Sequence, residues 1–252
     1  MPSYDFPLNE RIRTLLRVED LFAKVLYHVE AGHEYSHHSA LLTLLQILDV
    51  VDRAELKLDL LQELDRQRSA MIMLRGNPGI AENMLETIIN EIDVTSDALR
   101  AETNKFGQTL RANEWLMSIR QRAGIPGGVC EFDLPSYHYW LELTEVRRRH
   151  DFATWLKPLL SMQHAVVIIL RILRGSGATT KLLAINGDFQ QMLGGAKPAQ
   201  MLRIEMADDV ICFPEVSANK YAINIRFNVL ECAQKPQKYE DNVNFALMLC
   251  NL

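Results

Sequence analysis

Lys220-Tyr-Ala-Ile-Asn-Ile-Arg-Phe-Asn-Val229 is the stretch on which the fold turns. Tyr221, Ile223, Ile225, Phe227 and Val229 alternate with Lys220, Ala222, Asn224, Arg226 and Asn228. A period of two puts the first set on one face of a β-strand and the second on the other. That is the pattern of an antiparallel strand with one dry and one wet face. The pattern recurs over residues 242–250, with Val243, Phe245, Leu247 and Leu249 inward. It recurs more briefly over 201–206, with Leu202, Ile204 and Met206 on one side. Residues 181–186 and 210–213 are further strand candidates, with Gly, Pro and Asn between them.

Upstream of this region the apolar period is 3.6. Ile12, Leu15, Leu16, Phe22, Val25 and Leu26 form one stripe behind a helix entry at Pro7-Leu-Asn-Glu10. Further stripes are Leu41, Leu44, Leu45 and Leu48, then Leu56, Leu60, Leu64 and Met71, then Met84, Leu85, Ile88 and Ile92. Residues 106–122 read as one more helix, and 146–174 as a long apolar one that Pro158 kinks or restarts. The fold class is therefore α+β: a mainly helical domain over 1–178, then an antiparallel β domain over 179–252. A short extended segment at 129–134, after the break Gly124-Ile-Pro-Gly-Gly128, is free to join the sheet.

The formal net charge is −5, which argues against a general nucleic-acid binder. The balance is uneven: 1–110 carries −7, 111–175 carries +3 and 176–252 carries −1. A basic island in an acidic chain suits a local site for an anionic partner. The cysteines at 130, 212, 232 and 250 make no CxxC pair, so neither a zinc site nor a disulfide framework is suggested. Residues 1–19 lack the continuous apolar run of a signal peptide, and Ala165-Val-Val-Ile-Ile-Leu170 is too short to span a bilayer. A reduced, cytoplasmic protein without membrane attachment is expected.

Enzymatic readings find little support. His33 and His37 have metal-ligand spacing, but with His38 they read as a polar loop between helices. Gly175-Ser-Gly-Ala-Thr-Thr-Lys181 lacks the second glycine of a phosphate loop and reads as a linker, and Asp208-Asp209 as a turn. A hydrolase around His138 or His164 has no converging partner residues. No metal, nucleotide or other cofactor is expected.

The arginines are more informative. At about 100° per residue, Arg111 and Arg122 would share a face of one helix and Arg120 would oppose both. Arg147-Arg-Arg149 reads as a solvated helix start in need of an acidic partner. On the polar strand face stand Lys220 and Arg226, about 20 Å apart, with Arg203 on another strand. Such a face can take an extended acidic peptide. A competing reading uses the basic middle region with Trp115, Tyr139 or Trp140 to stack on single-stranded nucleic acid.

Several stretches, in order and spacing, resemble the ZapD family of bacterial division proteins. They are Pro7-Leu-Asn-Glu10 with Arg13 and Arg17, Leu61-Gln-Glu-Leu-Asp-Arg-Gln67, Leu110-Arg111, Arg120-Gln-Arg122 with Ile125-Pro-Gly-Gly128, Phe132-Asp-Leu-Pro135 and Ile225-Arg-Phe227. The resemblance implies a helical and a β domain, a cytoplasmic homodimer at mid-cell, and binding to the C-terminal tail of the tubulin-like protein FtsZ. It implies non-enzymatic cross-linking of FtsZ protofilaments into bundles that promote Z-ring assembly. Arg111, Arg120, Arg122, Lys220 and Arg226 match the family's basic contact positions. Near Asn242, where the family tends to carry an arginine, this chain offers Lys235 and Lys238 slightly earlier. The apolar surface of 152–173 is expected to supply the dimer interface.

Overall fold

Asn9 sets the start of the first helix by accepting a hydrogen bond from the Ile12 amide at 2.9 Å. The computed structural model describes residues 2–52, 55–192, 199–219, 221–231 and 235–251. Helix α1 (Glu10–Glu30) is followed by α2 (Glu34–Asp52), α3 (Leu56–Ile72) and α4 (Glu82–Ala101). Four shorter helices come next: α5 (Gln108–Arg111), α6 (Glu114–Ala123), α7 (Pro135–Leu141) and α8 (Glu145–Leu156). A 3-10 turn at Lys157–Leu159, placed by Pro158, leads into α9 (Leu160–Gly175).

Two compact units result, residues 14–169 and residues 1–13 with 170–252. In the first, α2 is buried along Ala40, Leu41, Leu44, Leu45, Ile47, Leu48 and Val51, as befits a helix apolar on most sides. Tyr137, Trp140, Phe152 and Trp155 add an aromatic cluster, with the Trp115 ring 5.8 Å from that of Trp140. The span Glu145–Gly175 is long and apolar enough to cross a bilayer, yet 56% of its most apolar window is buried inside the protein. Its Phe152, Leu159, Met162, Ala165 and Ile169 are core residues.

The second unit holds two antiparallel sheets. One has the order β1 (Ser3–Pro7), β4 (Met201–Met206), β8 (Val243–Cys250), β2 (Thr179–Ala184). The other runs β3 (Asp188–Met192), β6 (Ala222–Val229), β5 (Phe213–Ala218), with β7 (Gln237–Lys238) also on β6. Ile223, Ile225 and Phe227 of β6 pack with Leu202, Ile204, Val243, Phe245 and Leu247 in one core. The α+β class predicted from periodicity is the observed one.

Several expectations need correction. Residues 106–122 are two helices, because Asn113 caps α6, its Oδ1 accepting from Leu116 N at 3.1 Å. Asparagine competes with the helix backbone and favours caps over interiors. Arg111 and Arg122 therefore share no helix face. Residues 129–134 do not join a sheet. Local bonds such as Cys130 N to Gly127 O (3.1 Å) and Leu134 N to Cys130 O (2.9 Å) hold them in turns.

The boundary also differs from the expected 178/179, since Ser3–Pro7 pairs with β4 and carries residues 1–13 into the β unit. The strand expected at 210–213 begins only at Phe213. Tyr221, expected inward, is 61% exposed ahead of β6. His37 and His38 lie within α2 and not in a loop. Arg148, read as solvated, is buried.

Candidate protein-interaction site

Asn186 and Gly187 have φ of 50° and 72°, the left-handed pair that a tight hairpin turn requires. Any Cβ at Gly187 would collide with the Tyr239 carbonyl. The turn is pinned from outside by Asn242, whose Oδ1 accepts from Asn186 N at 3.0 Å. Chain reversal here delivers Asp188 to the start of β3, opposite Arg226 on β6. On the other side of β6, Glu215 of β5 is also in register with Arg226.

The Asp188 carboxylate serves two cations. Its Oδ2 lies 2.6 Å from Lys238 Nζ, and its Oδ1 lies 3.4 Å from Arg226 Nε. The Lys238 bond first, and Arg226 after it, hold the Asp188 carboxyl below its ordinary range. The Arg226 side chain is 63% exposed. It borders an open groove of about 690 Å³ lined also by Gln190, Val216, Ser217 and Asn224. Two cations thus stand beside two carboxylates on one wet sheet face. An incoming carboxylate can reach these cations by exchange, displacing Asp188 from Arg226 and Lys238. Exposed pairs contribute only about 0–1 kcal/mol each, so the exchange is accessible.

The other predicted arginines lie in the helical unit. Arg111 is half-buried, donating to Phe106 O (2.8 Å) and Leu48 O (3.3 Å), with its Nη2 3.2 Å from Asp52. Arg120 pairs with Asp49. Both therefore converge on the last turn of α2, which has two acidic residues and no basic one of its own. Acid at a helix C-terminus opposes the dipole, and imported cations offset it. Arg122 pairs instead with Asp133 at 2.8 Å.

The structure thus brings Arg226 together with Lys238, and Arg111 together with Arg120, and leaves Arg122 apart. Lys220 lies outside the described residues. Arg203, expected on a wet face, is held by Asp5, Glu205 and the Ser3 hydroxyl. Of the stacking candidates, Trp140 is buried and Tyr139 is 68% exposed.

Sequence reasoning missed Asp188, Glu215, Asp49 and Asp52. The dipeptide Asn186-Gly187 is a strong hairpin signal and could have revealed β3 and hence Asp188. No sequence signal pairs Asp49 with Arg120.

Comparison with known proteins agrees with the resemblance seen in the sequence. The sequence model of a family described as ZapD, cell division protein, matches residues 16–226. A cell division protein ZapD from Aromatoleum aromaticum is 49% identical over 99% of this chain and 97% of its own length. Its namesake from Dechloromonas aromatica is 49% identical over the whole of both chains. That of Azoarcus sp. is 48% identical, again over the whole of both.

Proposed function

The chain belongs to the ZapD family of cell division proteins, and we propose that it binds the C-terminal tail of FtsZ and, as a homodimer, cross-links FtsZ protofilaments into bundles. It works without catalysis, in the cytoplasm at the division site. The observation that carries the tail-binding reading is the exposed Arg226, which with Lys238 shares Asp188 on a wet sheet face beside an open groove. Two cations held by one exchangeable carboxylate can pass to an acidic peptide at little cost. Tails repeat along a filament, so a weak single contact becomes effective once a dimer engages two filaments.

The dimer reading is supported by exposed apolar residues on the helical unit. Leu26 of α1 and Val167 of α9 are 43% and 42% exposed and flank a small apolar cleft with Phe22 and Val166. A second copy is the occupant proposed for it. Solution mass at micromolar concentration tests this, and a strict monomer would refute it. Titration of a tail peptide tests the site: Arg226→Glu should abolish or strongly weaken binding, and unchanged affinity would place the site elsewhere.

A further inference from the structure

His37 and Arg148 form a buried couple at the corner where α1 gives way to α2 and α7 to α8. His37 is wholly buried near the start of α2, its ring 5.4 Å from that of Phe152. Its Nδ1 lies 2.8 Å from Arg148 Nε, and its Nε2 lies 3.1 Å from the Val29 carbonyl. Arginine is always a donor, so Nδ1 must accept and Nε2 must carry the proton. The imidazole is neutral by geometry.

Arg148 is itself only 7% exposed. Its other N–H groups go to carbonyls: Gly32 O at 3.1 Å, Leu141 O at 2.6 Å, and Leu143 O. These carbonyls lie at or just past the C-terminal ends of α1 and α7, where helix dipoles favour a cation. One guanidinium thus ties together the ends of two helices and the first turns of a third. Gly32, at φ of 72°, leaves room beside this corner for the Glu145 carboxylate, with which a Cβ there would collide.

A proton on Nδ1 would direct N–H against N–H and set two cations 2.8 Å apart, screened from solvent. The other charged groups nearby do not compensate. From α8, Glu145 is committed to Arg149 at 2.9 Å, and from α1, Glu30 also lies toward Arg149, at 3.7 Å. On α2 itself, His38 turns away to the Tyr137 hydroxyl at 2.6 Å.

We infer that this couple is an acid-sensitive latch: proton uptake at His37 breaks its bond to Arg148 and loosens the corner joining α1, α2, α7 and α8. Burial is the main cause that lowers the His37 pKa. The Val29 bond opposes it, Arg148 and Arg149 add to it, and Glu145 opposes it. The sign follows. The unfolded chain takes up its proton at the ordinary histidine value of about 6.5, and the folded chain only at lower pH. The latch's contribution is complete above that value and is lost as pH falls through the window below it. Mild acidification therefore weakens the helical unit.

Two measurements on the full chain test this. In the first, the ring resonances of His37 are followed by NMR as pH is lowered from neutral, with His38 tracked separately. The latch requires His37 to titrate below a free histidine peptide, with its midpoint coinciding with chemical-shift changes around Gly32 and Leu143. Titration at the ordinary value in an otherwise native spectrum would overturn it. In the second, the fall in thermal midpoint on acidification is compared between the wild type and His37→Gln, which keeps an acceptor and a donor but no titrating group. A smaller fall in the variant supports the latch, and equal falls overturn it. Should the variant fail to fold, the titration decides alone.

Discussion

Asp188 stands between Arg226 and Lys238, with one carboxylate oxygen toward each, and so competes for both cations with the acidic peptide of the proposed function. Charge on this face is balanced before any partner arrives. The relationship gives a prediction that a simple basic patch would not. Asp188→Asn should raise affinity for the FtsZ tail peptide a few-fold, because it frees both cations, with stability changed by less than about 1 kcal/mol. Weaker binding by a folded Asp188→Asn protein would show that the carboxylate helps the peptide instead of competing with it.

Arg226→Glu should weaken tail binding without lowering the thermal midpoint, since its pair with Asp188 is exposed. A well-formed charge-assisted contact is worth about 1.5–3 kcal/mol, or roughly a factor of ten or more in affinity. Raised salt should reproduce part of the loss. Arg147→Glu is a suitable control, because that side chain is 62% exposed. Arg148 is not suitable, being buried.

Arg111 and Arg120 should behave differently from Arg226. Arg111→Ala strips two backbone carbonyls and Asp52 of a half-buried partner, and should cost about 1–3 kcal/mol of stability. Arg120→Ala removes a more exposed pair at the same turn and should cost about 0–1 kcal/mol. Chemical denaturation of both variants checks the order. An Arg111→Ala protein as stable as the wild type would remove the reading that it closes the end of α2.

Gly187→Ala should damage both stability and the site. The residue would be forced into a left-handed conformation and against the Tyr239 carbonyl, at a cost of about 1–3 kcal/mol. Tyr239 follows Lys238 directly, so the collision should move that lysine and reduce peptide affinity along with the thermal midpoint. A variant destabilised but binding normally would take Lys238 out of the contact.

Much of this architecture is legible in the sequence, for physical reasons. The strict alternation of β6 can satisfy only a half-buried strand, and it fixed both the class and the exposure of Arg226. The Pro7-Leu-Asn-Glu10 entry fixed the start of α1 through the Asn9 cap. What escaped depends on partners remote in the chain. β1, Ser3-Tyr-Asp-Phe-Pro7, alternates over only four residues before a proline, and it is a strand because β4 offers it an edge. Gln67 is polar by type yet buried, donating to Glu63 at 3.1 Å and to the Ile169 carbonyl at 3.2 Å. Likewise Arg148 became a core residue because three carbonyls and His37 await it. Charge alone says nothing of such acceptors.

In the proposed function, this protein bundles FtsZ filaments through their tails. Co-sedimentation at low speed, which pellets bundles but not single filaments, tests it most directly when run with intact FtsZ and with FtsZ lacking its C-terminal tail. The protein should drive intact filaments into the pellet, tail-less filaments should stay in the supernatant, and Arg226→Glu should bundle neither. Equal pelleting of intact and tail-less filaments would contradict it.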